Sequence, residues 1–138
     1  MSEPEDGTGP TTDEERRAAG MRVRREVLGD AHVDRAVAAV TPLTADFQDF
    51  ITRVAWGDVW QRPGLARRDR SLMTLSITIA LRHWDEFALH VRAARNNGLT
   101  DEEIAEVIQH AAVYAGVPAA NHAFKVAAPI LDELRDGE

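Results

Sequence analysis

The stretch HWDEFALH, residues 83–90, sets His83, Glu86 and His90 at spacings of three and four. On a helix those intervals bring side chains to one face. Two imidazoles and a carboxylate so arranged suit three tasks: holding a metal ion, moving a proton near neutral pH, or edging an ordinary helix with solvated polar groups. The metal task fits worst. His83 and His90 stand a full seven positions apart, whereas helical zinc sites use histidines four apart. For proton transfer His90 is the first choice, because imidazole titrates near pH ~6.5. Glu86, one turn earlier, would orient that imidazole and favour its protonated form, or carry the proton itself. His83 completes the stripe with the weakest claim.

Other candidates flank this segment. Arg67, Arg68 and Arg70 crowd the approach to the apolar run LMTLSITIAL. A guanidinium grips a carboxylate with two parallel hydrogen bonds, and a helix N-terminus adds amides and partial positive charge. Arg70 leads into the apolar run and is the preferred anion-binding residue, with Arg67 beside it and Arg62 in QRPGL as a further candidate; plain surface charge is the competing reading. Trp56 and Trp60, one turn apart, would wall a ring-sized pocket or fill a core. Tyr114, His110 and His122 are weaker still, each suited to an interior hydrogen bond or a subunit contact.

The whole chain narrows the chemistry. Its 138 residues suit one domain with a sizeable core. A net charge of −7 opposes a nucleic-acid partner, and it obliges any anionic substrate to be captured by locally clustered arginines. There is no cysteine, which removes disulfides, thiolate metal sites and thiol catalysis together. The acidic opening MSEPEDGTGPTTDEE lacks the apolar run of a secretory signal, and no apolar run is long enough to span a membrane. A cytoplasmic protein without a membrane partner is the expectation.

The elements that must position these residues read as all-α. Residues 1–11, rich in Gly, Pro and Glu, are expected to form a disordered tail, with the helical domain over 12–138. Thr12 and Glu15 form a capping-box pattern ahead of a helix that stops at Gly29. A short helix follows through Val33, Ala36, Val37 and Val40. Thr41-Pro42 then starts a third, with Pro42 in its first turn and an apolar face of Phe47, Phe50, Ile51 and Val54. Pro63-Gly64 enforces a turn. The LMTLSITIAL run has the composition of a buried strand, yet no other strand candidate exists to pair with it, so a buried helix over 66–82 is expected. Helices over 84–97, from Thr100 to Gly116, and from Pro118 onward complete about seven.

Several segments together resemble the 4-carboxymuconolactone decarboxylases: RREVLGDAHVDRA, FQDFITRVAWGDVWQRPGL, RDRSL, EFALHVRAARNNGLTDEEIAEV and YAGVPAANHAF, in this order from about Met21 to Leu134. The resemblance implies an alkylhydroperoxidase-like all-helical fold. It implies a cofactor-free, metal-free lyase that converts 4-carboxymuconolactone to 3-oxoadipate enol-lactone and carbon dioxide in the protocatechuate branch of aromatic degradation. A ring of subunits, trimeric or hexameric, comes with it. The wider superfamily's Cys-x2-Cys-x3-His motif falls on His83, Glu86 and His90, and Ser71 stands where the peroxidases place a glutamate. Glu86 and His90 would thus be catalytic, while Arg70, Arg67, Trp56, Trp60 and His83 would bind a dicarboxylate lactone. A related lyase or isomerase acting on another unsaturated lactone or acid, and a non-catalytic helical assembly protein, are the alternatives.

Overall fold

The computed structural model describes residues 12–138, all of whose regular elements are helical; the expected tail at 1–11 lies outside the described residues. They group into two compact units that divide after Pro63.

The N-terminal unit is built from α1 (Asp13–Leu28), α2 (Asp30–Ala38), α3 (Ala45–Ile51) and a π-helix (Thr52–Trp60). Thr12 caps α1 as expected, its hydroxyl accepting the Glu15 amide at 3.1 Å. The third helix departs from expectation in two ways. Pro42 sits in a Thr41–Thr44 turn ahead of α3, with the Thr44 hydroxyl accepting the Thr41 amide at 3.0 Å, and is not in the helix's first turn. The expected apolar face is also not a buried one: Phe47 and Phe50 on the regular α3 are exposed, and it is in the π-pitched turns from Thr52 that Thr52, Trp56 and Gly57 are buried.

The π-helix lies tightly on α1. Gly20 and Gly57 are the contact points, since a Cβ at Gly20 would stand 2.0 Å from the Thr52 carbonyl and one at Gly57 would stand 2.5 Å from the Arg16 carbonyl. Val23, Val27, Val33 and Trp56 form the apolar interior. Asp49 fastens the outside, accepting from Arg17 Nε and from Arg53 Nε, the latter at 2.8 Å. The hydrogen bonds from Arg17 and then Arg53 hold its carboxyl down at about 2. A depressed folded-state value places the stabilising effect of this pairing wholly above the ordinary carboxylate value of ~3.9, and it is lost as pH falls through about 2. Carboxyl NMR should therefore find the Asp49 midpoint near 2; a midpoint at the ordinary value would show that the pairing does not persist in solution.

The C-terminal unit holds α4 (Arg67–Ala80), α5 (Trp84–Asn96), α6 (Asp101–Ala115) and α7 (Val117–Asp136). Leu75, Ile79, Phe87, Val91, Leu99 and Ile104 are its solvent-free centre. Burial of a side chain the size of Phe87 contributes roughly 2–3 kcal/mol. On α7 the buried positions are all alanine (Ala119, Ala120, Ala123, Ala127), and such small side chains let the helix approach its neighbours closely. Thr100 and Glu103 form the expected reciprocal capping box of α6.

The LMTLSITIAL run is helical. Its hydroxyl-bearing residues adapt by bonding back one turn, Thr74 to the Arg70 carbonyl at 2.8 Å and Thr78 to the Thr74 carbonyl at 2.7 Å. The expectation of a buried helix is corrected on one side, because Met73, Ile77 and Leu81 form an exposed apolar row. No described helix is long and apolar enough to cross a membrane.

Candidate active site

Glu86 and His90 share the first turns of α5. His83 occupies the position just before the helix, so Glu86 is its third residue, where the unsatisfied amides of a helix start favour negative charge. His90 Nε2 lies 3.8 Å from Glu86 Oε2, an ion-pair distance when the imidazole is protonated. The two groups differ sharply in environment. The His90 side chain is 7% exposed, on the buried face with Phe87, Val91 and Ala94, whereas the Glu86 side chain is 62% exposed. An interior imidazole thus touches a carboxylate that faces solvent.

Glu86 also lines a cavity of about 440 Å³, broadly open to solvent, together with Arg82, His83, Trp84 and Asp85. Trp84 gives this cavity an aromatic wall. Its ring meets Phe87 edge-on at 5.9 Å and lies 4.4 Å from the His122 ring. His122, weakly ranked from sequence, therefore touches a residue that lines the cavity.

The α4–α5 connection explains how Arg82 comes to be there. Its amide bonds to the Ile79 carbonyl, and the next amide, of His83, bonds to the Thr78 carbonyl. This is a Schellman turn, which requires a left-handed residue at its corner. At the end of α5 the same turn uses Gly98, with φ 94°; at the end of α4 it uses Arg82, with φ 57°. A side chain in that conformation costs ~1–2 kcal/mol, and such strain concentrates at functional sites. Sequence reading passed over Arg82, since nothing in the residue type announces a left-handed arginine.

The arginines expected from sequence sit on α4. Arg67 is its first residue, and Arg70 is buried within its first turn. Neither is among the residues lining the cavity beside Glu86. Arg68 instead pairs with Glu103, whose carboxyl is held low first by the Thr100 amide and then by Arg68, so it ties α4 to the capping box of α6. Ser71 is fully buried and accepts a hydrogen bond from Asn97 Nδ2 at 2.9 Å, joining α4 to the end of α5. Trp56 and Trp60 lie in the N-terminal unit with ring centroids 5.2 Å apart, Trp56 buried in that unit's core. His110 and Tyr114 are exposed and stack at 5.1 Å on α6. Among the described residues no group of three or more His, Asp and Glu side chains is placed to hold a metal ion.

Comparison with known proteins decides the family. The model of the carboxymuconolactone decarboxylase family matches residues 45–129, which takes in the π-helix, Arg82 and the whole His83–His90 segment. The chain belongs to that family. A 4-carboxymuconolactone decarboxylase of Acinetobacter baylyi is 47% identical over 122 residues, covering 88% of this chain and 91% of that protein. A nitrosuccinic acid decarboxylase of Metarhizium robertsii is 46% identical over 117 residues, covering 85% of this chain and 82% of the relative. A 4-carboxymuconolactone decarboxylase of Pseudomonas putida is 52% identical over 46 residues, which is 33% of this chain and 96% of that sequence. The resemblance drawn from the motifs and the all-helical fold expected from the pattern both hold.

Proposed function

We propose that this member of the carboxymuconolactone decarboxylase family is a carbon–carbon lyase that releases carbon dioxide from 4-carboxymuconolactone, giving 3-oxoadipate enol-lactone. The observation that carries the reading is Glu86 on the wall of a surface hollow with the buried His90 3.8 Å behind it, in a chain 47% identical to a 4-carboxymuconolactone decarboxylase.

The substrate supplies its own electron sink. Its departing carboxylate sits on the carbon γ to an unsaturated lactone carbonyl. As that C–C bond breaks, the electron pair forms a new ring double bond, the old one shifts towards the carbonyl, and an enolate results. The chemistry needs no cofactor to take the electrons. A proton must then reach the carbon α to the carbonyl. Glu86, on the cavity wall, delivers it, and His90 behind it replaces it, so that the pair works as one acid; positioned groups of this kind contribute roughly 10²–10⁴-fold. The net reaction consumes one proton and liberates one carbon dioxide.

Arg82 is the cavity's guanidinium and holds the carboxylate that stays on the product. Trp84 packs against the lactone ring. This reading gives Arg82 a reason for its strained backbone and predicts a trade-off. Arg82→Gly should stabilise the protein by about 1 kcal/mol, because glycine adopts the left-handed corner freely. It should also raise KM for the lactone at least about tenfold. Thermal unfolding and steady-state kinetics on one preparation check both halves; a more stable variant with unchanged KM would remove Arg82 from the substrate site.

The exposed row of Met73, Ile77 and Leu81 on α4, and the exposed Val113, Tyr114 and Val117, support assembly into a homo-oligomer. The identity to a nitrosuccinic acid decarboxylase favours a second substrate of related chemistry. Nitrosuccinic acid also carries two carboxyl groups, and its nitro group can accept the electron pair of a departing carboxylate. Comparing kcat/KM for the two acids tests the assignment. The lactone should be preferred by at least about 10²-fold; preference for the nitro acid would transfer the proposed activity to that substrate.

A further inference from the structure

Among the described residues of the N-terminal unit, one buried cation has no carboxylate bonded to it. Arg24 is 6% exposed, on the apolar side of α1 with Val23 and Val27. Its Nη1 donates to the Thr52 hydroxyl at 3.5 Å and its Nη2 to the Gln48 side-chain carbonyl at 3.3 Å. Both acceptors are neutral, and the Thr52 hydroxyl proton is already committed to the Gln48 backbone carbonyl at 2.8 Å. Arg24 Nε is buried and has no hydrogen-bond partner among the described residues. Burial, aided by the adjacent charge of Arg25, depresses the Arg24 pKa below its ordinary value. Buried charges are ordinarily paired, so the geometry is that of half an ion pair.

The other half has room. Arg24 lines a cavity of about 190 Å³ whose apolar wall is Met21, Val37 and Val40 and whose polar rim includes Arg17 and Asp49. Asp49 is already clamped between Arg17 and Arg53, so its charge is answered locally, and among the described residues no other carboxylate lines this cavity. A hollow of this size admits a small organic acid.

We propose that the α1–α2–α3 cavity is a carboxylate-binding site, with Arg24 gripping one carboxylate of a small organic acid whose apolar body lies on Met21, Val37 and Val40. The proposal does not depend on the reaction proposed above. Succinate titrated into the full-length protein with ¹⁵N-labelled arginine is the direct probe. The Arg24 Nε–H resonance should shift saturably, the shift should vanish in a folded Arg24→Met variant, and Arg24→Lys should keep binding weakened about tenfold. Titrating 4-carboxymuconolactone and measuring turnover then distinguishes the source of the carboxylate. A raised KM with unchanged kcat in Arg24→Met assigns the pocket to the lactone, whereas unchanged KM with lost succinate binding assigns it to a separate acid. No saturable shift with either compound up to about 50 mM, equal succinate binding by Arg24→Met, or dissociation of the assembled protein by Arg24→Met without any carboxylate binding would overturn the proposal.

Discussion

Replacing His90 with alanine is expected to lower kcat on 4-carboxymuconolactone by roughly 10²–10⁴-fold, and Glu86→Gln by a similar factor. In free energy this is about 3–5 kcal/mol of lost transition-state stabilisation. The two effects should not multiply. If the buried imidazole acts only by restoring the proton that Glu86 gives up, removing either group disables the same step. The double variant should then be no slower than the slower single one, as expected of residues that act as a unit. His90 belongs to the sealed face of α5 with Phe87 and Val91, so the alanine variant also loses packing. His90→Gln, which keeps most of the volume, should show the same loss of kcat with less loss of stability. Turnover undiminished in all of these variants would leave the family assignment standing and remove the site.

Gly20→Ala is the substitution expected to damage the fold most. In an open helical position, exchanging glycine for alanine stabilises by ~0.5–1 kcal/mol. Here the added methyl would stand 2.0 Å from the Thr52 carbonyl oxygen and 2.9 Å from the Gly57 amide nitrogen. Both are backbone atoms, so no rotamer change relieves the overlap and α1 must move off the π-helix. A net loss of about 3 kcal/mol is expected, with loss of the near-ultraviolet signal of Trp56 and Trp60 in a Trp84→Phe background. Gly64→Ala is the control. It places its methyl in open space and should change stability by no more than ~0.5 kcal/mol. If both variants melt alike, the close crossing of α1 and the π-helix is not present in solution.

The legible parts of the sequence were those with a local chemical signature. Thr100 with Glu103 announces a helix start through two reciprocal hydrogen bonds, and both form. Gly98 announces a helix end because the left-handed corner is cheap only for glycine. The spacing of Glu86 and His90 survives intact, since both lie on a regular α-helix. The illegible parts depend on backbone choices that many residues permit. Nothing in TRVAWGDVW dictates π pitch, and from Thr52 onward that pitch takes Val54 out of the α-helical register of Phe47, Phe50 and Ile51. Arg82 was invisible for a related reason, being an ordinary side chain in an uncommon backbone state. Arg24 did carry a signal: it lies among Val23, Val27 and Leu28 on the inward side of α1, where a cation is out of place. The preference for Arg67 and Arg70 came from their crowding near an apolar run. Crowding marks charge density, whereas a cavity wall is a matter of three-dimensional position.

The central claim is that the lactone ring accepts the electrons of the departing γ-carboxylate. It is tested most directly by placing ¹³C in that carboxyl group of 4-carboxymuconolactone and following the label through turnover in the presence of a metal chelator. Labelled carbon dioxide is expected in step with enol-lactone formation, at a rate the chelator does not change. Label retained in the product, or carbon dioxide drawn from the other carboxyl group, would contradict it.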